Sequence, residues 1–180
     1  IERKKVDYEN NIERFNMRGW FLKDDKAIKV KSEAPAKETK KVVKKVTTVK
    51  LVLIGTGTES EIRQINDDIA KFGLEANVIQ LGNIKNASSR IRGADVLVVP
   101  SRDFESFGLT ALEAMLNKIP VIVSEIGGLP ETIGKDEECG YIVPKDNSDL
   151  FSEKILYLID NNEVSIKMGQ AGYKRAMEFY

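Results

Sequence analysis

From residue 50 onward, short apolar runs alternate with stretches of helical spacing. The runs are "LVLIG" (51–55), "NVIQLG" (77–82), "DVLVVP" (95–100), "IPVIVS" (119–124) and "GYIVP" (140–144). They are continuous rather than alternating, so each strand has to be buried on both faces. Between them "ESEIRQINDDIAKFG" (59–73) places Ile62, Ile65 and Ile69 at helical spacing and stops at Gly73. "ASSRIRG" (87–93) and "FGLTALEAMLNK" (107–118) are the next helices, and two more, over 147–160 and 163–178, close the chain. Strands separated by helices predict a parallel sheet covered on both sides, a doubly wound Rossmann-like α/β domain. Such sheets bind ligands at the carboxyl ends of their strands.

Composition narrows the chemistry. The chain has 180 residues, enough for one domain with an appendage, and 42% of them are hydrophobic. It has no histidine, which removes the commonest general base, Ser-His-Asp hydrolysis and histidine-based metal sites. A single cysteine, Cys139, rules out an internal disulfide and fits a cytoplasmic protein. No apolar run is long enough to span a membrane, although a peripheral position at the inner membrane face is compatible with the sequence. Basic and acidic residues balance at 28 each, which gives no sign of a nucleic-acid partner.

The balance is uneven along the chain. Residues 1–50 hold 15 Lys+Arg against 8 Asp+Glu, with the bias concentrated in "KETKKVVKKVTTVK" (37–50). That stretch reads as a solvated amphipathic helix near 36–47, with Val42, Val43 and Val46 facing inward. Residues 1–35 show no clear period and are expected to be a linker or peripheral segment, leaving 36–180 as the domain.

The loop after the third run, "SRDFESFG", lies where this architecture binds ligands. A helix starts near Phe107, so the first N–H groups, from Ser106 to Leu109, point into the crevice with the positive end of the helix dipole. That arrangement suits a phosphate or diphosphate, and Gly108 allows close approach of the backbone. Two carboxylates bracket the helix start. Glu105 and Glu113 are separated by about 12 Å along a helix axis, comparable to the span of a diphosphate between two sugars. Either could accept hydrogen bonds from vicinal hydroxyls. Alternatively, Glu105 is a dipole partner and Glu113 a solvated helix residue. With Leu109, Leu112, Met115 and Leu116 as the core face, Glu113 falls at its edge, and Asn117 rather than a basic residue stands one turn on.

The segment "VVPSRDFESFGLTALEAMLNKIPVIVSEIGGLPETI" closely resembles the signature of the retaining glycosyltransferases of family 4, which have two Rossmann-like domains. The matching motifs are Glu-x7-Glu (Glu105, Glu113) and "GGLPE" (Gly127 to Glu131). "GYIVPKDNSDL" and the glycine loop "LVLIGTGTES" are similar to further family segments, so the resemblance covers residues 50–180. It implies the nucleotide-sugar binding half of such an enzyme, with a nucleotide-diphosphate sugar as substrate and no metal or other cofactor. By the same resemblance Glu105 would hold donor-sugar hydroxyls and act at the catalytic centre. The N–H groups of Ser106, Phe107, Gly108 and Leu109 would hold the diphosphate, and Glu113 would hold the ribose. Gly55 and Gly57 would border the diphosphate or merely make a tight turn. Gly82 to Lys85 would lie near the base, and Gly127 and Gly128 would serve backbone geometry.

The match has gaps. The family's diphosphate-neutralising Arg and Lys have no counterpart. Lys23 and Lys26 of "MRGWFLKDDKAIK" are nearby basic residues, but the role is not carried over to them. The acceptor-binding amino-terminal domain is absent, so an acceptor glycan, lipid or small molecule would be met through a part this sequence lacks. The isolated chain is therefore expected not to transfer sugar. A non-catalytic nucleotide- or partner-binding module is the alternative that the missing Arg/Lys pair supports. Half of a nucleotide-sugar epimerase is a third reading, disfavoured by the two motif matches.

Overall fold

The computed structural model describes residues 19–24, 48–103 and 105–180. Its strands are β1 (Gly19–Asp24), β2 (Thr48–Leu53), β3 (Val78–Gln80), β4 (Val96–Val99), β5 (Val121–Ser124) and β6 (Gly140–Val143). They form one six-stranded sheet in the order β3-β2-β1-β4-β5-β6. The five strands expected from the apolar runs all form; β2–β3 and β4–β5–β6 pair in parallel. The two parallel groups lie on either side of β1, so the change of winding direction falls between β2 and β4.

β1 was not expected. Residues 19–24, placed by their sequence in a linker or peripheral segment, lie in the middle of the sheet. β1 runs antiparallel to both neighbours, with Gly19 opposite Leu53 on one side and Val98 on the other. "GWFLKD" carries only three consecutive apolar residues between polar flanks, too few to show a period. Its ladder partners come from β2 and β4, so local sequence gives no hint of the pairing. The helix expected near 36–47 lies outside the described residues.

Alternate residues of the central strands enter different cores. Leu97 and Val99 of β4, with Val121 and Val123 of β5, pack on one side of the sheet. Val96, Val98 and Ile122 pack on the other with Val143, Phe151, Leu158 and Met168. This two-sided burial makes the strands apolar without alternation.

The helices are α1 (Glu59–Phe72), α2 (Ala87–Ile91), α3 (Leu109–Leu116), α4 (Leu129–Ile133), α5 (Ser148–Asp160) and α6 (Asn162–Phe179). A capping box starts α1: Thr58 N–H donates to the Glu61 carboxylate at 2.5 Å, and the Thr58 hydroxyl accepts from Glu61 N–H. The Thr58 backbone and then its hydroxyl hold the Glu61 carboxyl below the usual carboxylate range. Gly73, left-handed at φ 64°, ends the helix as its sequence predicts.

On α3 the core face differs from the expectation. Leu109 is 63% exposed and Leu116 43%, while Thr110, Ala111, Ala114 and Met115 are buried. The reason is close packing against α6. Gly172 of α6 faces Met115, so near that a Cβ there would sit 3.2 Å from the Met115 side chain. Met115, expected in the core, fills this contact against a glycine, and neither Leu109 nor Leu116 is part of it.

α4 forms from "LPETI", inside the Gly-Gly-x-Pro-Glu motif, and seats the loop ahead of α3. Gly128 N–H donates to Glu105 O at 2.9 Å, and the Thr132 hydroxyl donates to Phe107 O. A Cβ on Gly127 would lie 2.0 Å from Glu105 O, and one on Gly128 would lie 2.3 Å from Ser106 O. These glycines serve backbone contact, as expected. From behind, Arg175 of α6 donates to Thr132 O at 3.0 Å and Glu131 O at 2.8 Å. Tyr180 packs edge-on against Phe107, ring centroids 5.1 Å apart.

Gly128 has φ −82°, which any residue adopts, so its requirement is one of space. Gly128→Ala should therefore destabilise the chain by about 1–3 kcal/mol, the usual cost of overpacking a tight contact. Gly93→Ala, where a Cβ meets nothing closer than 3.8 Å, should change stability by no more than about 0.5 kcal/mol. Urea unfolding of both variants checks this, and equal midpoints would show that the seat is not rigid.

Candidate active site

Four segments meet at the carboxyl ends of the parallel strands: the loop after β2, the loop after β3, the loop after β4, and the first turns of α3. Gly55 N–H donates to Gly82 O at 3.2 Å, tying the first two loops together. A cavity of about 160 Å³ opens between them and α3. Ile54, Ile84, Ala87 and Ile91 give it apolar walls, while Gly55, Asn83, Thr110 and Glu113 supply backbone and polar groups. A larger cavity of about 360 Å³ adjoins it, sharing Glu113 and bounded by Ser88, Ser89, Arg92, Leu116 and Asn117.

Glu113 is half-buried and lines both cavities. No hydrogen bond or ion pair to its carboxylate forms among the described residues; its backbone oxygen accepts from the Asn117 side chain at 2.7 Å. Arg92 of the larger cavity is directed to Asn117, its Nε donating to Oδ1 at 3.0 Å. Among the described residues the Glu113 carboxylate is thus an acceptor without a donor, at the meeting of the two cavities.

Glu105 behaves differently. It is half-buried, and its Oε1 accepts the Gly108 N–H at 3.2 Å. Gly108 is the N-cap of α3 in the left-handed conformation, φ 79°, and a Cβ there would strike Leu129 at 2.6 Å. The first intrahelical bond is Leu112 N–H to Gly108 O at 3.1 Å, so the N–H groups of Leu109, Thr110 and Ala111 come before it. Glu105 therefore lends its own carboxylate to the anion-favouring end of the helix.

The structure brings Gly55 and Glu113 to one cavity together with Asn83 and Ile84, from the loop expected near a base. Glu105, Ser106 and Phe107 lie in the adjoining loop, because α3 starts later than the expected Phe107: Gly108 is its N-cap and Leu109 its first residue. Gly57 does not line either cavity; it belongs to the turn leading into the α1 cap. Sequence reasoning missed Thr110. It is 4% exposed, lines the smaller cavity, and its hydroxyl has no hydrogen-bond partner. Its spacing of three from Glu113 was the available signal. Cys139 is buried, and burial, followed by the nearby Glu138 charge, pushes its thiol pKa up against a smaller opposing effect of Arg175. It is not an activated nucleophile.

A family model described as glycosyl transferases group 1 matches residues 20–175. D-inositol 3-phosphate glycosyltransferase of Corynebacterium efficiens is 38% identical over 88 residues, 49% of this chain and 20% of its own length. Among solved structures, the carboxy-terminal domain of a glycosyl transferase group 1 family protein (LpcC) from Francisella tularensis is 32% identical. The match covers 68% of this chain and 65% of that one, at a TM-score of 0.61. A TarM variant of Staphylococcus aureus, in complex with fondaparinux, α-GlcNAc-glycerol and UDP, is 25% identical over 71% of this chain and 25% of its own, with a TM-score of 0.62. The chain spans 20% to 35% of the length of curated relatives it matches. The chain belongs to the glycosyl transferases group 1 family and has the Rossmann-like fold of that family's carboxy-terminal domain.

Proposed function

We propose that this chain is the donor-binding domain of a retaining glycosyltransferase that moves a hexosyl group from a nucleotide-diphosphate sugar to an acceptor hydroxyl. One observation carries the reading: an unpartnered, half-buried carboxylate, Glu113, faces a cavity one turn along α3 from a free helix N-terminus. Glu113 would accept the ribose hydroxyls, with the base between Asn83, Ile84 and the isoleucine walls. The diphosphate would lie on the N–H groups that open α3, Gly55 to one side. Glu105 would give up Gly108 N–H to the phosphate and turn to the donor sugar. The UDP in the TarM complex supports this class of ligand.

In such a transfer the departing diphosphate gains negative charge as the glycosidic bond breaks. N–H dipoles fixed at the helix end stabilise that charge without reorganising. Gly127 and Gly128 hold the loop where the dipoles are needed. The acceptor and the remaining positioning groups would come from another part of a longer protein. A second reading, a nucleotide-binding module without transfer activity, is favoured by the absence of any Arg or Lys among the described residues that line the smaller cavity.

Titration of the chain with UDP, GDP and ADP, followed by NMR, should show weak binding of at least one, with shifts at Gly55, Ile84 and Gly108. No shift with any of the three at millimolar ligand sinks both readings.

Two carboxylate variants separate the roles. Glu113→Gln should weaken the free nucleoside diphosphate and the nucleotide sugar alike. Glu105→Gln should not weaken the free diphosphate, since it removes the charge that competes for Gly108 N–H, and should weaken the nucleotide sugar. A hydrogen bond to a charged group contributes about 1.5–3 kcal/mol, so each effect should reach tenfold or more. Calorimetric dissociation constants for both ligands, with circular dichroism as folding control, decide it. If neither substitution moves either affinity, the two glutamates are structural.

A further inference from the structure

Thr110 is the second residue of α3 and is 4% exposed. Its Oγ1 is one of three buried side-chain polar atoms among the described residues that lack a hydrogen-bond partner. The other two, Asn77 Oδ1 and Ser124 Oγ, border neither cavity, whereas Thr110 lines the smaller one.

A threonine in a helix ordinarily satisfies its hydroxyl on the carbonyl three or four residues back. Here those carbonyls belong to Phe107 and Ser106. Phe107 O already accepts the Thr132 hydroxyl, and Ser106 O is pressed against Gly128. Both residues precede the helix, and neither carbonyl accepts the Thr110 hydroxyl. A buried hydroxyl without a partner is costly, so its retention beside a cavity calls for a ligand atom.

We propose that the Thr110 hydroxyl donates a hydrogen bond to the phosphate nearest the ribose, a side-chain contact beside the backbone N–H groups. This rests on the nucleotide-diphosphate reading. Thr110 and Glu113 stand three residues apart on neighbouring sides of one helix, so Thr110 lies about 4.5 Å nearer the helix N-terminus. With Glu113 on the ribose, that step leads from the sugar toward the anion-binding end. The apolar Ile54, Ile84 and Ile91 leave the phosphate as the natural acceptor in reach.

Thr110→Val preserves shape and removes the hydroxyl. The test uses whichever of UDP, GDP or ADP the wild-type chain binds, with the matching monophosphate and nucleoside. Thr110→Val should keep or raise the urea midpoint, because an unpaired buried hydroxyl becomes a methyl. It should weaken the diphosphate and the monophosphate about tenfold and leave the nucleoside unchanged. Thr110→Ser should keep most of the wild-type affinity. Thr110→Val that binds the diphosphate like wild type overturns the assignment while leaving the nucleotide reading standing. Equal weakening of the nucleoside overturns the phosphate contact. A Thr110→Val chain that is less stable or unfolded overturns it too, since the hydroxyl would then have a partner within the protein. A wild-type chain that ignores all three diphosphates overturns the nucleotide reading, and this inference with it.

Discussion

Backbone laid directly on backbone, where Gly127 and Gly128 meet residues 105–107, is the contact on which the site depends. No side chain intervenes: Gly128 N–H reaches Glu105 O at 2.9 Å, and a Cβ on either glycine would overlap a carbonyl. Thr132 adds its hydroxyl to Phe107 O, so α4 grips the loop at successive residues. The loop would otherwise be a solvent-facing strand connection, the kind of segment that moves. Seated this way, it presents Gly108 in a left-handed conformation and starts α3 at a fixed place. The positions of Glu105, Thr110 and Glu113 all follow from that start.

The seat is itself held. Arg175 gives hydrogen bonds to the carbonyls of Glu131 and Thr132, two of those that end α4. α4 has only five residues, too short to persist by its own hydrogen bonds. Its stability comes from Leu129, Thr132 and Ile133, all buried, and from this guanidinium. Tyr180 closes the same corner against Phe107. The last turns of the chain therefore support the loop from two directions, although they lie far from it in sequence.

Much of this was legible in the residues, and the parts that were not have physical reasons. Continuous apolar runs announced the strands because β4 and β5 feed both cores; β3, at the sheet edge, is only partly buried and packs against one core, so two-sided burial does not hold for it. Gly73 marked the end of α1 through local chemistry, whereas the Thr58 capping box at its start went unread. β1 was hidden because three apolar residues carry no period and its ladder is entirely non-local. The core face of α3 was misjudged in part: Met115 is buried against α6 as expected, but Thr110, Ala111 and Ala114 are buried in place of Leu109 and Leu116. Glu105 and Glu113 were legible as a pair only through their motif. Their different states, one capping a helix and one unpartnered in a cavity, required the fold. Thr110 showed in the sequence only as a residue three before Glu113; that its hydroxyl is buried beside the cavity, without a partner among the described residues, required the fold.

That no cation is among the described residues lining the smaller cavity has an energetic side on the proposed reading. A helix N-terminus offers roughly half an elementary charge, far less than a diphosphate carries. The ground-state hold on the donor would then be modest, relying on hydrogen bonds from N–H groups and the Thr110 hydroxyl more than on net charge. That is no handicap to a transferase. Interactions that strengthen only as charge builds on the leaving oxygen accelerate the reaction, whereas equal binding of donor and transition state does not. Glu105 fits the same logic. While the crevice is empty, its carboxylate neutralises the helix end through Gly108 N–H. Displacement by the phosphate would release it toward the sugar, where a carboxylate favours positive charge developing at the anomeric carbon. One residue would thereby couple filling of the phosphate site to assembly of the catalytic centre.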